Sequence, residues 1–335
     1  MKKPLFALPV MLSFLAASTV CLVQIGMARG AARRPNGSGL AFLGTRDSGG
    51  ALSPDSAQAA GSDTADKTPV KRVELFVLDP GGSDDPAGSA SISMGFLIEL
   101  EPDWHIYWTN PGDAGLAPSV RWTLPPGTKA GPLLHPTPRK SVEEGIVSFG
   151  HEGPVLLMCD ITPAKSPRPR DEWEAAAVLE WMACRESCIT GETAVKAVFP
   201  PDAAAREKGR SLLETFGPKF PRPLSEAALS AKVAGAERSG AEWLVEVALS
   251  GPRAREAGDF FPYPLEDFVI SHPRITCRDG RMVIPLTPSR GAGSPPPTFI
   301  RGLVIIGGAG YELTAPVPSH QSVSFLEFNP GPSWR

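Results

Sequence analysis

The sequence predicts a mainly β protein, built as two antiparallel β-sandwich domains joined by a helix and a Pro-rich linker. Three observations carry this reading. From Val70 onward apolar residues recur with a period of two in short runs, as in strands that bury one face. Between those runs lie turn signals, and the chain holds 34 glycines and 37 prolines. Both residues break helix interiors, so a mostly helical fold is excluded. Finally, 335 residues correspond to about two domains with a remainder.

The remainder lies at the N-terminus. Lys2 and Lys3 precede an uncharged stretch from Leu5 to Met27, the layout of a secretory signal, with Gly26-Met27-Ala28 as a small-residue cleavage site. Residues 1–28 are read as a signal peptide or, if uncleaved, as a membrane anchor, since the apolar run could just span a bilayer. Val20 before Cys21 makes a poor lipidation motif. Residues 29–69 are dominated by Gly, Ala, Ser, Asp and Arg without a sustained period, and read as a disordered tether.

The first sandwich is assigned to residues 70–200. Ile92, Met94, Phe96, Ile98 and Leu100 alternate with Ser93, Gly95, Leu97 and Glu99, which describes a half-buried strand. Val155, Leu157, Cys159 and Ile161 line one face of another. Ala175, Ala177, Leu179, Trp181 and Ala183 make a third, although their alanines also permit a helix. Asp79-Pro80-Gly81-Gly82, Asn110-Pro111-Gly112-Asp113 and Pro125-Pro126-Gly127 read as turns. A helical segment runs from about Asp202 to Phe216 and is ended by the prolines of 218–223, so 201–224 form helix and linker. Period two returns in 225–328. There Trp243, Val245, Val247 and Leu249, then Met282, Ile284 and Leu286, and last Val323 and Phe325 mark the second sandwich.

Lys and Arg number 33 and Asp and Glu 36, for a net charge of −3. No basic excess exists to neutralise phosphates, so nucleic acid is not an expected partner. No apolar run after Met27 approaches spanning length, so membrane contact is expected only through the N-terminal segment. The histidines at 105, 135, 151, 272 and 320 show no metal-ligand spacing, and no metal or cofactor is expected.

Cys21 would leave with the signal, turning five cysteines into an even four. The sharpest local feature is Trp181-Met182-Ala183-Cys184-Arg185-Glu186-Ser187-Cys188-Ile189-Thr190-Gly191-Glu192. Cys184 and Cys188 can bridge across one helical turn or a tight loop. So short a loop makes a poor fold staple, whereas a partner thiol always at hand suits a couple that opens and closes. Arg185 would favour a Cys184 thiolate and Glu186 would oppose it. Spacing alone leaves three readings open: a redox pair, a structural disulfide in a non-catalytic scaffold, or an envelope copper module holding Cu(I) through the same pair.

Several motifs then point one way. The run from Phe96 to Gly115, with Trp104, His105, Tyr107, Trp108, Asn110, Pro111, Gly112 and Asp113, is similar to the signature of the N-terminal periplasmic domain of DsbD-type thiol:disulfide interchange proteins. The resemblance continues through Trp122 to Gly127, Phe149 to Gly153, and Trp181 to Glu192. Phe260-Phe261-Pro262-Tyr263 and Arg301-Gly302-Leu303-Val304 resemble the second half of longer, ScsB-like versions. It covers roughly residues 70–318 in one order. The resemblance implies an immunoglobulin-like periplasmic module in which Cys184 and Cys188 are the catalytic redox pair. Such a module passes reducing equivalents to thioredoxin-fold clients, among them disulfide isomerases and cytochrome c maturation proteins. The chain carries neither the family's polytopic membrane domain nor its C-terminal thioredoxin-like domain, so a separate membrane electron donor is expected. Ile189-Thr190 also stands where many relatives place a Pro after the second cysteine.

Two further expectations concern the rest of the site. Trp104, Tyr107, Asn110 and Asp113 are read either as packing around a turn or as a loop that shields the cysteines. In the second case Asp113 would raise a thiol pKa. Cys159 and Cys277 are read either as separate buried thiols or as a bridge between the domains, nominally worth about 4–5 kcal/mol.

Overall fold

The computed structural model describes residues 68–80, 91–163, 172–291 and 293–318. The signal, the tether and the strand expected at Val323 and Phe325 lie outside the described residues. Among the described residues no helix is long and apolar enough to cross a membrane.

Ten strands come first: β1 (Val70–Asp79), β2 (Ile92–Leu100), β3 (His105–Gly112), β4 (Ser119–Thr123), β5 (Lys129–Ala130), β6 (Arg139–Glu143), β7 (Ile146–Glu152), β8 (Val155–Thr162), β9 (Trp173–Cys184) and β10 (Cys188–Phe199). They form two sheets, β1-β2-β8-β5 and β10-β9-β3-β7-β6, with β4 pairing β9. The inward residues of both close on one core that includes Ile92, Met94, Phe96, Ile98, Trp104, Ile106, Leu157, Cys159, Ile161 and Leu179. The alanine-rich segment is therefore a strand. Its partner β10 matches it residue for residue over its whole length, which overrides the helix preference of alanine.

Helix α1 (Ala203–Phe216) follows, capped by Asp202, whose side chain accepts from the Ala205 N–H at 2.7 Å. It lies on the outer face of the first sheet, where Leu212 and Phe216 pack on Leu78, Leu97 and Leu156. Gly209 makes the close approach feasible, because a Cβ there would sit 2.1 Å from the Val77 carbonyl oxygen. This corrects one expectation: β2 is covered on both faces, with Leu97 buried under the helix.

The second sandwich contains β11 (Arg222–Pro223), β12 (Ser230–Ser239), β13 (Glu242–Ser250), β14 (Ala257–Pro262), β15 (Phe268–Ile270), β16 (Thr276–Arg278), β17 (Arg281–Pro288), β18 (Phe299–Ile306) and β19 (Ala309–Pro316). Its sheets run β11-β19-β18-β14 and β12-β13-β17-β15, with β16 on β17. All strand pairs are antiparallel except the short β11–β19 contact. Val245, Val247, Phe260, Met282, Ile284, Leu286, Val304 and Leu313 form its core.

The two sandwiches meet through a separate apolar cluster. Trp108, Val147 and Phe149 of the first pack on Phe261 and Leu303 of the second, and Trp108 stacks on Tyr263 at 5.1 Å between ring centroids. A polar group sits beside it. The Asn110-Pro111-Gly112-Asp113 segment, expected as a turn, is instead mostly the end of β3, irregular in its pairing with β7 between Tyr107 and Gly112. Its side chains reach into the second sandwich, and those contacts hold the chain extended.

Candidate functional site

The β9–β10 hairpin builds the site. Its register places Cys184 directly opposite Cys188, with Arg185, Glu186 and Ser187 as the connecting loop. Opposed residues of an antiparallel pair bring their Cα atoms close, here 4.1 Å, and the two cysteines are joined as a disulfide. The bridge thus follows from strand register, and the one-turn helix alternative is excluded. The two sulfurs differ in environment. Cys184 is 3% exposed, whereas Cys188 is exposed at the start of β10.

Neighbouring strands supply the surroundings. β3 pairs with the end of β9, His105 facing Cys184 and Ile106 facing Ala183. Tyr107 therefore reaches the bridge, and its hydroxyl donates to Cys184 Sγ at 3.0 Å and lies 3.9 Å from Cys188 Sγ. Burial, and secondarily the Glu143 carboxylate, push the Tyr107 pKa up, so the phenol stays a donor. The His105 ring meets Tyr107 edge-on at 5.2 Å. Burial lowers the His105 pKa against the opposing pull of Glu143 and Glu152, which keeps it uncharged near neutral pH. Arg185 lays its guanidinium over the Trp104 ring, 5.2 Å from the centroid, tying the cysteine loop to the core. Beside the hairpin runs a shallow groove lined by Leu116, Ala117, Trp181, Met182, Thr190 and Gly191.

The aromatic segment divides between two places. Tyr107 is at the cysteines, and Trp104 touches their loop through Arg185. Gly115, at φ +102°, rests its backbone on the phenol ring so closely that a Cβ would sit 2.3 Å from the ring carbons. Asn110 and Asp113 turn elsewhere. The Asn110 amide donates to the Pro262 carbonyl at 2.8 Å and lies 3.2 Å from His272 Nε2. Asp113 holds His272 Nδ1 at 2.8 Å with one oxygen and the Val147 N–H at 2.9 Å with the other. Both its oxygens are thus engaged away from the sulfurs, and the direct effect of Asp113 on thiol protonation expected from the sequence has no contact to act through. Sequence reasoning assigned no role to Glu143, which lies on β6 and acts on Tyr107 and His105 through its charge, and it placed His105 and Gly115 in the aromatic run without their contacts to Tyr107.

The inter-domain bridge is likewise corrected. Cys159 and Cys277 are free thiols, one in the core of the first sandwich and the other against the core of the second. Cys159 lies 3.3 Å from the Gly131 carbonyl and Cys277 3.4 Å from that of Ala257. Burial pushes each pKa up to about 11, which makes both poor nucleophiles. Among the described residues no group of three or more His, Cys, Asp or Glu side chains is arranged to hold a metal ion.

Residues 86–200 match the family model for the N-terminal domain of the thiol:disulfide interchange protein DsbD. This segment is a DsbD-type N-terminal domain. The match ends where β10 ends, so the DsbD-type domain includes the whole β9–β10 hairpin and both bridged cysteines. The second sandwich lies beyond the matched DsbD-type segment. No curated protein matches the chain. Among solved structures, the N-terminal periplasmic domain of ScsB from Proteus mirabilis is 17% identical at a TM-score of 0.48, over 68% of this chain and 89% of that one. The E. coli chaperone DraB is 10% identical at a TM-score of 0.20, over 74% of this chain and 97% of that one. The assignment rests on the DsbD family match.

Proposed function

We propose that the chain is a periplasmic thiol:disulfide interchange module, passing reducing equivalents from a separate membrane donor to thioredoxin-fold clients through Cys184 and Cys188. One observation carries this reading: within a DsbD-type domain, a bridged pair presents one exposed cysteine while a phenol hydroxyl donates to the sulfur of the other, buried one.

The chemistry follows from that asymmetry. A donor thiolate attacks the exposed Cys188 Sγ, the Cys184–Cys188 bond breaks, and its electron pair leaves on Cys184 Sγ. Tyr107 donates its hydrogen bond to the thiolate formed there, and bonds to charged acceptors are the stronger kind. A second donor thiolate then displaces Cys188, leaving the donor as a disulfide and the module as a dithiol. Toward a client, the Cys188 thiolate attacks the client disulfide. Cys184 then attacks Cys188 Sγ, re-forms the bridge and expels the client sulfur. Two electrons enter the module in the first exchange and two leave it in the second, with protons returned to the released thiolates.

The test is trapping. Cys184→Ser, mixed with an oxidised thioredoxin-fold protein, is expected to accumulate a mixed disulfide on Cys188, read by intact mass. Cys188→Ser is expected to accumulate far less, because Cys184 is buried. No adduct on Cys188 in the Cys184→Ser variant, or equal adduct in both variants, would dismiss the reading.

A further inference from the structure

β3 carries Tyr107, which meets the bridge, and three residues later Asn110, which meets the second sandwich. We propose that His272, in the second sandwich, is a positioning residue for the Cys184–Cys188 pair, acting through Asp113, Gly115 and Tyr107. The proposal rests on the redox reading above.

His272 is buried in a short 3-10 turn, His272–Arg274. It contacts both Asp113 and Asn110, and its ring edge meets Phe149 at 5.4 Å. Asp113 is pinned from the other side too, its N–H donating to the Val147 carbonyl at 2.8 Å and its second oxygen accepting from the Val147 N–H. Two residues on, the Gly115 backbone lies against the Tyr107 ring with no side chain and no gap between them. A shift of a few tenths of an ångström at Asp113 therefore passes to the phenol. Its hydrogen bond to Cys184 weakens steeply with misalignment. The sandwiches do not need this polar group to adhere, since Trp108, Phe149, Phe261 and Leu303 already make an apolar joint. Burying Asn110 and His272 there costs free energy unless they stay paired, and so the pairing fixes one geometry. The second sandwich thereby sets the seat of the residue that receives the leaving thiolate.

The test follows reduction of the Cys184–Cys188 disulfide by dithiothreitol in the full chain, as a second-order rate. Tyr107→Phe is expected to slow it about tenfold and His272→Ala about threefold, as a hydrogen bond to a developing charge is lost or misaligned. His272→Asn, whose amide nitrogen takes the place of Nδ1 and keeps a donor for Asp113, is expected to recover most of the rate. In the Tyr107→Phe background His272→Ala is expected to add nothing, because the two act through one contact. Should His272→Ala fail to fold, Asp113→Asn carries the same expectation. Wild-type rates in the His272 and Asp113 variants, or equal slowing with and without the phenol, would overturn the proposal and leave the redox reading standing. A bridge that dithiothreitol does not open in the unsubstituted chain would overturn the redox reading itself.

Discussion

Cys188 and Cys184 are neighbours in one covalent bond, yet they meet different chemistry. In the proposed reading, exposure selects Cys188 as the sulfur that partners attack, and burial under Tyr107 makes Cys184 the sulfur that leaves and returns. Cys159 and Cys277 are the contrast within the same molecule. Burial raises both to about 11, so at pH 8 only about one in a thousand of either is thiolate. After mild reduction at pH 8, iodoacetamide is expected to modify Cys188 first and to leave Cys159 and Cys277 unmodified while the fold is intact. Peptide mapping over a time course checks this, and early labelling of Cys159 would contradict it. The cysteine pair was legible in the sequence, because its spacing and its flanking Trp181 and Gly191 are local. Tyr107 was legible only as one of several aromatics. It lies 77 residues from Cys184, and no periodicity encodes which strand neighbours the hairpin.

The hairpin is the element that makes the pair. Its register runs unbroken from Cys188 opposite Cys184 to Phe199 opposite Trp173, and Trp181 anchors it by donating from Nε1 to Thr193 Oγ1 at 3.2 Å. Gly191 faces Trp181, and a Cβ there would lie 2.4 Å from the indole ring. Gly191→Ala is expected to cost about 1–3 kcal/mol by overpacking, read as a lower urea midpoint, and to shift the indole fluorescence. An unchanged midpoint would show that the ring moves aside freely. At this scale strands were readable wherever one face is buried, as in β13. β2 was misjudged because α1 covers its second face, and the Asn110–Gly112 stretch because its partners lie more than 150 residues away in sequence.

The described residues form two sandwiches sharing a joint. Trp108 is almost fully buried between them. Trp108→Ala is expected to cost about 3–5 kcal/mol and to split thermal unfolding into two transitions, seen by calorimetry. A single undiminished transition would contradict the shared joint. Acid should destabilise the molecule as well. His135 and His151 are buried with their rings 5.9 Å apart, and burial pushes their pKa values down to about 4 and about 3. Below about pH 6.5 the unfolded chain binds these protons and the folded chain does not. Stability is therefore full above that pH and falls as pH drops toward 4, by roughly 1.4 kcal/mol per unit for each histidine. Urea midpoints at pH 7 and pH 5 check the sign, and replacing both histidines by Phe is expected to flatten the difference. The joint itself was unreadable from the sequence, since Trp108, Phe261 and Tyr263 look like ordinary core aromatics until two sheets meet.

The central claim is that Cys184–Cys188 is an exchangeable couple, and its equilibrium potential against glutathione or dithiothreitol buffers tests this most directly. The account requires a potential less negative than about −300 mV, the range of bridges that exchange. A more negative value, typical of a bridge that only holds structure, would contradict it.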